Sequence, residues 1–281
     1  MIRVVDVLKR TEDFLRGKSI PSPRLDAELI LGHHLGLDRV ELYLQFDRPL
    51  AEADLAPIRV HVQRRGAREP LAWVLGTKAF WKLDLHAHKD VLVPRPDTET
   101  LVEAALALIP ETGECFVADV GCGTGAVGLS IASERPEVKL YATDISDAAL
   151  RCTKDNVTQL GLTGRVGVLK GELLSPIPED RPIDIVVSNP PYIPTADIDS
   201  LAPEIRDHEP RAALDGGADG LDVYRQLIPA AAARARSWVL VEVGAGQAEA
   251  VAAMMADAGL VDVQTHKDLA GHPRVVQGSQ P

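Results

Sequence analysis

The residues best suited to chemistry are Asn189-Pro190-Pro191-Tyr192, which follow the apolar stretch IDIVVS. An amide or ring-attached amino nitrogen is a poor nucleophile, because its lone pair is delocalised. An enzyme that alkylates it must bind the NH2 group through its hydrogens and leave the lone pair facing the electrophile. Asn189 offers a side-chain carbonyl and Pro190 a backbone carbonyl, so two acceptors meet two hydrogens. Pro191 helps stiffen the loop, and Tyr192 supplies a flat apolar face for a planar group. The chemistry that fits is methyl transfer by in-line displacement, in which positioning supplies much of the rate. A sulfonium donor loses its charge as the methyl leaves, so no metal is required. No general base stands out, and the surplus proton can leave after transfer. Proline and asparagine also end strands for purely local reasons, so the loop needs a ligand-binding context to carry this reading.

That context lies upstream, in Asp119-Val120-Gly121-Cys122-Gly123-Thr124-Gly125. Alternating glycines let the backbone turn sharply and approach a ligand without Cβ clashes. Gly123-x-Gly125-x-x-Gly128 also satisfies the dinucleotide fingerprint, so an NAD-dependent oxidoreductase is a rival of a different class. Asp119, just before the turn, suits an ammonium group and is awkward beside a pyrophosphate. Asp144 closes the next apolar stretch, 23 residues after Gly121. A carboxylate at such a strand end can accept from both ribose hydroxyls. An acid, a glycine turn and a second acid in this order fit S-adenosyl-L-methionine, with S-adenosyl-L-homocysteine as product.

These motifs need a sheet to hold them. From residue 115 onward strand and helix patterns alternate: CFVADV, GAVGLSIASE, KLYATD, SDAALRCTKDNVTQLG, RVGVLKGE, IDIVVS, LDVYRQLIPAAAARA, SWVLVEVG and QAEAVAAMMADAG. VDVQTHKD and PRVVQG then read as a terminal antiparallel pair. The expected fold class is α/β, a doubly wound and mostly parallel sheet with helices on both faces. Residues 1–75 carry apolar residues at helical spacing, as at Leu25, Leu29, Ile30 and Leu35, and read as a small helical domain. Residues 76–96 switch to a short hairpin or linker. Its expected strands run through Phe80, Leu83 and Leu85 and through Val91-Leu92-Val93. Residues 97–281 form the catalytic domain, with Asp97 or Thr98 capping its first helix.

Bulk properties narrow the partners. The 281 residues include 46% hydrophobic and 25% charged residues, an ordinary globular balance. No apolar run is long enough to span a membrane, and the first residues lack the pattern of a signal peptide, so a cytoplasmic protein is expected. Cys115, Cys122 and Cys152 have no C-x-x-C spacing, which fits a reducing compartment without disulfides or zinc. His33, His34, His86 and His88 read as ordinary side chains, and the His86-Ala-His88 pair lacks a third ligand. Trp73, Phe80 and Trp81 read as packing residues. Net charge is −11, divided unevenly. Residues 1–90 hold 15 basic against 13 acidic side chains, and the remainder holds 15 against 28. So acidic a body argues against a nucleic-acid polyphosphate as the main substrate.

With these residues in view, the chain resembles the release-factor glutamine methyltransferases, the PrmC/HemK family. NPPY alone is shared with enzymes that methylate amino groups of nucleic-acid bases. The likeness becomes specific through PSPRLDAELILGH, REPLAWVLGTKAFW, VLVPRPDTETLVE, DVGCGTGAVGLSIA, SNPPYIP, HEPRAALDGGADGLDVYRQLI and LVEVGAGQ, which span nearly the whole chain. The resemblance implies a seven-stranded class I methyltransferase sheet with an antiparallel terminal strand, behind a helical substrate-recognition domain and a β-hairpin. It implies N5-methylation of the glutamine in the Gly-Gly-Gln loop of peptide-chain release factors. By matching position, Gly121 to Gly125, with Cys122, Gly123 and Thr124, wrap the methionine moiety. Asp144 binds the ribose, and Glu172 lies near the adenine. Leu173 stands where some members carry an aromatic residue against that base. Asn189 contacts both donor and glutamine, and Pro190, Pro191 and Tyr192 complete the substrate site. Arg95 and Glu99 line the cleft or serve as a salt bridge and a cap. A monomer that binds neither nucleic acid nor membrane is expected. The remaining alternatives are a glutamine of a ribosomal protein and an amino group of a nucleic acid.

Overall fold

Apolar residues recur along the first helix at Val4, Val7, Leu8 and Leu15, and this stripe, with Thr11, is the face that it buries. The computed structural model describes residues 2–281. The helix is α1 (Val4–Gly17), followed by α2 (Pro23–Leu35), α3 (Arg39–Leu44), α4 (Glu52–Gly66) and α5 (Leu71–Leu75). Leu8, Leu15, Ile30, Leu31, Leu42 and Ile58 are fully buried in their shared core. α2 opens with Pro23 in its first turn and stops at Gly36, whose φ of 65° is left-handed. α3 starts with a reciprocal cap between Asp38 and Glu41. These helices form the first of two units, with the remaining chain, apart from Ala202–His208, forming the second.

The second unit begins with a hairpin of β1 (Thr77–Phe80) and β2 (Leu83–His86), joined by a two-residue turn in which Trp81 has a φ of 55°. Val91-Leu92-Val93, expected as a strand, lies outside any strand. The structural reason is that Val91 is buried by side-chain contact with Ala149 and Cys152, with no ladder. Apolar runs this short cannot be assigned from periodicity alone. Phe80 and Trp81 pack into the core below, as expected.

The sheet follows: α6 (Glu99–Leu108), β3 (Cys115–Val120), α7 (Ala126–Glu134), β4 (Val138–Asp144), α8 (Asp147–Gln159), β5 (Val166–Lys170) and β6 (Ile185–Ser188). Then come α9 (Pro203–Arg206), α10 (Asp222–Arg234), β7 (Trp238–Glu242), α11 (Ala248–Asp257), β8 (Val261–Lys267) and β9 (Pro273–Ser279). Seven strands pair in the order β5-β4-β3-β6-β7-β9-β8. The first five are parallel, and β9 runs antiparallel between β7 and β8. This is the expected doubly wound sheet. Alternation of side chains explains the two cores. Val117, Ile185, Val187, Leu240 and Val275 face α6 and α7. Ala118, Val120, Val186, Val239 and Val241 face α10 and α11. Strands buried on both faces read as continuous apolar runs, as IVVS and WVLVE do.

α9 lies in Ala202–His208, the segment that groups with the first unit. There Glu204 accepts from Arg65 at 3.0 Å and from Arg68 at 2.9 Å. Arg65 is buried and also donates to Asp26 at 2.6 Å. One guanidinium thus ties α2, α4 and α9 together. Removing one partner of a buried pair leaves an uncompensated charge, at a cost of about 3–5 kcal/mol. Glu204 still compensates Arg65 in an Asp26→Ala variant, so the low end, about 3 kcal/mol, is expected. Denaturant unfolding of the variant checks this; a loss near zero would show that the Asp26 contact adds nothing.

Candidate active site

The sheet reverses its winding between β3 and β6, so their carboxyl ends diverge and open a crevice. Parallel sheets bind ligands at such a point. Here the crevice is a cavity of about 350 Å³, lined by the ends of both strands and by the loops after β4 and β5. The Ser188 hydroxyl donates to the Val120 carbonyl at 2.7 Å and fastens the two strands where they part.

The glycine turn forms one wall. Gly121, Gly123 and Gly125 have φ of 71°, 58° and 81°, a region that strongly favours glycine. The Gly121 and Cys122 N–H groups donate to the Thr143 carbonyl at 2.8 and 3.0 Å, which ties the turn to the end of β4. Gly125 is not on the cavity wall. It caps α7, where an added Cβ would meet Leu129 at 2.7 Å. The Cys122 thiol is buried beside Thr153, and burial pushes its pKa up, so it stays protonated.

Two carboxylates face this turn. Asp119 is buried, and one of its oxygens accepts the Gly128 N–H at 2.9 Å. Burial pushes its pKa up to about 7 against that hydrogen bond, and the nearby Asp144 charge adds to the rise. Gly128 must lack a side chain, since a Cβ would meet Leu140 at 2.7 Å and Asp119 Oδ2 at 2.9 Å. Asp144 accepts the Gly123 N–H at 3.0 Å on one oxygen and the Ser146 N–H at 2.8 Å on the other. Burial raises its pKa as well. Each oxygen keeps lone-pair capacity for a hydroxyl donor. Glu172 and Leu173 complete this side of the cavity. Leu173 has a φ of 50°, uncommon for a bulky residue, and its carbonyl accepts the Thr143 hydroxyl at 2.8 Å.

The opposite wall is the loop after β6. Asn189, Pro190 and Pro191 line the cavity, whereas Tyr192 stands behind them. The Tyr192 ring packs close to Gly244, and its hydroxyl donates to Glu242 at 3.3 Å. Burial pushes the phenol up to about 12. Asn189 Nδ2 donates to the Thr98 hydroxyl at 3.2 Å. Thr98 therefore does not cap α6 as expected. It belongs to the 3-10 turn Pro96–Thr98 and has helical backbone angles, so its side chain is free to meet Asn189. The DGG segment braces the loop from outside. Ile193 donates its N–H to the Leu214 carbonyl and accepts the Gly216 N–H, and a Cβ on Gly216 would meet the Pro191 carbonyl at 2.8 Å. Gln247 donates to the Tyr192 carbonyl at 2.8 Å.

Sequence reasoning placed Arg95 at the cleft or in a salt bridge, and it is in both. It lines the cavity and donates to the buried Glu209 through two contacts of 2.7 Å. This joins the VPRP and EPRAALDGG segments. Glu99 instead accepts the Trp81 backbone N–H at 2.8 Å and braces the hairpin. Thr98, Glu209 and Glu242 escaped notice as site residues. An acid ending an otherwise apolar strand, as Glu242 does in WVLVE, is the signal that was available.

Residues 6–76 match the model of the PrmC N-terminal domain, and residues 98–217 that of the methyltransferase small domain. A release factor glutamine methyltransferase of Geobacter sulfurreducens is 43% identical over 274 residues, covering 97% of this chain and 95% of that protein. One from Caulobacter vibrioides is 40% identical over 279 residues, covering 99% and 96%. Among solved structures, a methyltransferase from Pyrococcus furiosus aligns with a TM-score of 0.54 at 16% identity, over 78% of this chain and 98% of that one. The hMettl16 catalytic domain in complex with the MAT2A 3'UTR hairpin 6 aligns with a TM-score of 0.57 at 16% identity, over 80% and 82%. These two likenesses concern the fold alone.

The raised pKa of Asp119 has a measurable consequence. Between the ordinary carboxylate range and about 7, the folded chain keeps a proton that the unfolded chain has released. Asp119 therefore destabilises the fold as pH rises through that window, and fully above it. An Asp119→Asn variant keeps an oxygen for the Gly128 N–H. Its melting temperature should exceed the parent's at about pH 8, and the gap should shrink toward about pH 5. A gap that is constant with pH would show that Asp119 is ionised throughout.

Proposed function

The chain belongs to the release factor glutamine methyltransferase family, and from that premise we propose that it methylates the side-chain nitrogen of the glutamine in the Gly-Gly-Gln loop of peptide-chain release factors, with S-adenosyl-L-methionine as donor. The observation that carries the site assignment is the direction of one hydrogen bond. Asn189 donates its amide nitrogen to Thr98, so its carbonyl oxygen is the atom left for a ligand on the cavity wall. That oxygen and the Pro190 carbonyl accept the two hydrogens of a substrate amide and leave its lone pair facing the donor. Tyr192 sets the loop from behind, its ring against Gly244 and its hydroxyl on Glu242.

The residues of the other wall fit the donor's groups. Asp119 meets an ammonium, which restores its ionised form at neutral pH. Asp144 accepts ribose hydroxyls, and Gly121 and Gly123 let the backbone, with Cys122 and Thr124, close round the methionine end. Glu172 and Leu173 flank the base; Leu173 offers aliphatic contact in place of a stacked ring. When bound, the sulfonium supplies an electrophilic methyl group. The chain holds both partners in line and excludes water, which is where its rate advantage arises.

Among the described residues no helix is long and apolar enough to cross a membrane. A cytoplasmic monomer acting on a release factor, without a nucleic-acid partner, is consistent with this and with the acidic second unit. The test is transfer of labelled methyl to a purified release factor, with DNA and ribosomal RNA as comparison substrates and mass mapping of the Gly-Gly-Gln peptide. One added methyl on that glutamine is expected; label in nucleic acid alone would overturn the reading. Asn189→Ala should lower kcat by about 10²–10³-fold, the scale for losing one preorganised polar contact, with folding intact. Full activity in that variant would remove Asn189 from the mechanism.

A further inference from the structure

Arg95 is the one positively charged side chain among the described residues that line the cavity, against the acids Asp90, Asp119, Asp144, Glu172 and Asp215. Pro94 and Pro96 flank it. A residue before proline is pushed out of the helical region, and Arg95 is extended, with φ of −99° and ψ of 142°. Its guanidinium is anchored from behind. Nη2 alone donates to both oxygens of Glu209, each at 2.7 Å. The Glu209 side chain is 1% exposed and that of Arg95 32%, so the anchor is buried while the cation still reaches open space. Nε and Nη1 have no partner among the described residues, and neither is sealed from solvent. Arg95 belongs to the wall of the Asn189 loop. Its carbonyl accepts the Thr98 N–H at 3.1 Å, and the Thr98 hydroxyl accepts from Asn189 at 3.2 Å. Pro210, next to Glu209, lines the cavity with Ala212 and Ala213. The Arg95 charge acts on Tyr192 of the same loop, whereas the shifts of Asp119 and Asp144 on the glycine wall have no contribution from it.

We propose that Arg95 is a substrate-binding residue of the acceptor site: its Nε and Nη1 groups donate to main-chain carbonyl oxygens of the peptide that carries the target glutamine. This rests on the Gly-Gly-Gln reading of the substrate. The two glycines before the target have no side chains, so a site can recognise them only through main-chain groups. An arginine donates through five N–H bonds and accepts through none, so it selects carbonyl oxygens. Glu209 takes the Nη2 hydrogens, which leaves three donors in a rigid plane. The ionised acids of the cavity only accept, and Asn189 spends its NH2 group on Thr98. Because Glu209 already holds the guanidinium, little of its ordering remains to be met on binding. The site then reads the target residue twice, with acceptors for its side-chain NH2 group and donors for the main chain beside it.

Arg95→Lys tests this, because an ammonium still neutralises Glu209 but lacks the planar fork that holds one acceptor and reaches another. The expected result is a rise in KM for a purified release factor of about 10–100-fold, the scale for hydrogen bonds from a charged group, with kcat within about twofold of the parent's. S-adenosyl-L-methionine affinity and melting temperature should stay close to the parent's. Removing the arginine alone would leave Glu209 as a buried unpaired acid and weaken the fold. The double variant Arg95→Met with Glu209→Gln removes both charges together, so it should keep the parent's melting temperature and still show the raised KM. Three results overturn the assignment: KM within about twofold of the parent in Arg95→Lys, KM restored in the double variant, or a loss of S-adenosyl-L-methionine affinity in Arg95→Lys, which would put the guanidinium on the methionine carboxylate instead. The parent measured alongside separates the two levels. If it methylates the release factor and Arg95→Lys has the same KM, only the role of Arg95 fails. If the parent transfers no methyl to the release factor, the substrate reading fails and the role of Arg95 falls with it.

Discussion

A sheet covered on both faces leaves its polar groups one place to go, the ends of its strands. β3 and β6 are buried along their lengths between α6 and α7 on one side and α10 and α11 on the other. They carry apolar residues until their last positions, where Asp119, Ser188 and Asn189 appear. The reversal of winding then pulls the loops apart and turns an edge into a cavity. Everything the chain offers a ligand follows from that constraint. The glycine turn, Asp144 and the Asn189 loop are unrelated in sequence, yet they open on one space because parallel strands end on one side.

Four carboxylates cluster around this edge, and all have pKa values raised first by burial: Asp119, Asp144, Glu209 and Glu242. Their partners differ. Asp119 and Asp144 have backbone N–H groups, Glu209 has the Arg95 guanidinium, and Glu242 has the Tyr192 hydroxyl. The first two face the cavity with acceptor capacity in reserve, which suits a cationic ligand with hydroxyls. The second two are turned toward the protein and hold the loops that form the rim. Buried acids with incomplete pairing weaken a fold, and their concentration here marks where stability was yielded to binding.

The parts legible in the sequence were those written in contiguous residues. The glycine turn, the acid after the second parallel strand and the Asn-Pro-Pro-Tyr loop each declare a local backbone need. The alternation of strand and helix placed them on one edge. What escaped was nonlocal. Thr98 reads as a helix cap until the backbone shows it inside a 3-10 turn, with its hydroxyl aimed at a residue 91 positions away. Glu209 is one acid in a long irregular segment until Arg95 is seen across from it. Val91-Leu92-Val93 has the composition of a strand, but Val91 is buried by α8 rather than by a neighbouring strand. Periodicity reports that a side chain is buried and is silent about what buries it.

The excursion of Ala202–His208 bears on how the chain is made. The first unit is encoded almost wholly in the first 76 residues, and its helices could assemble as soon as they leave the ribosome. Arg65 and Arg68 then still lack Glu204, which is synthesised more than 130 residues later. By that time β3, β4, β5, β6 and the Asn189 loop have all been translated. The earliest unit to emerge is thus finished only after most of the sheet exists, and its last carboxylate arrives on the stretch of chain that leads away from the reactive loop.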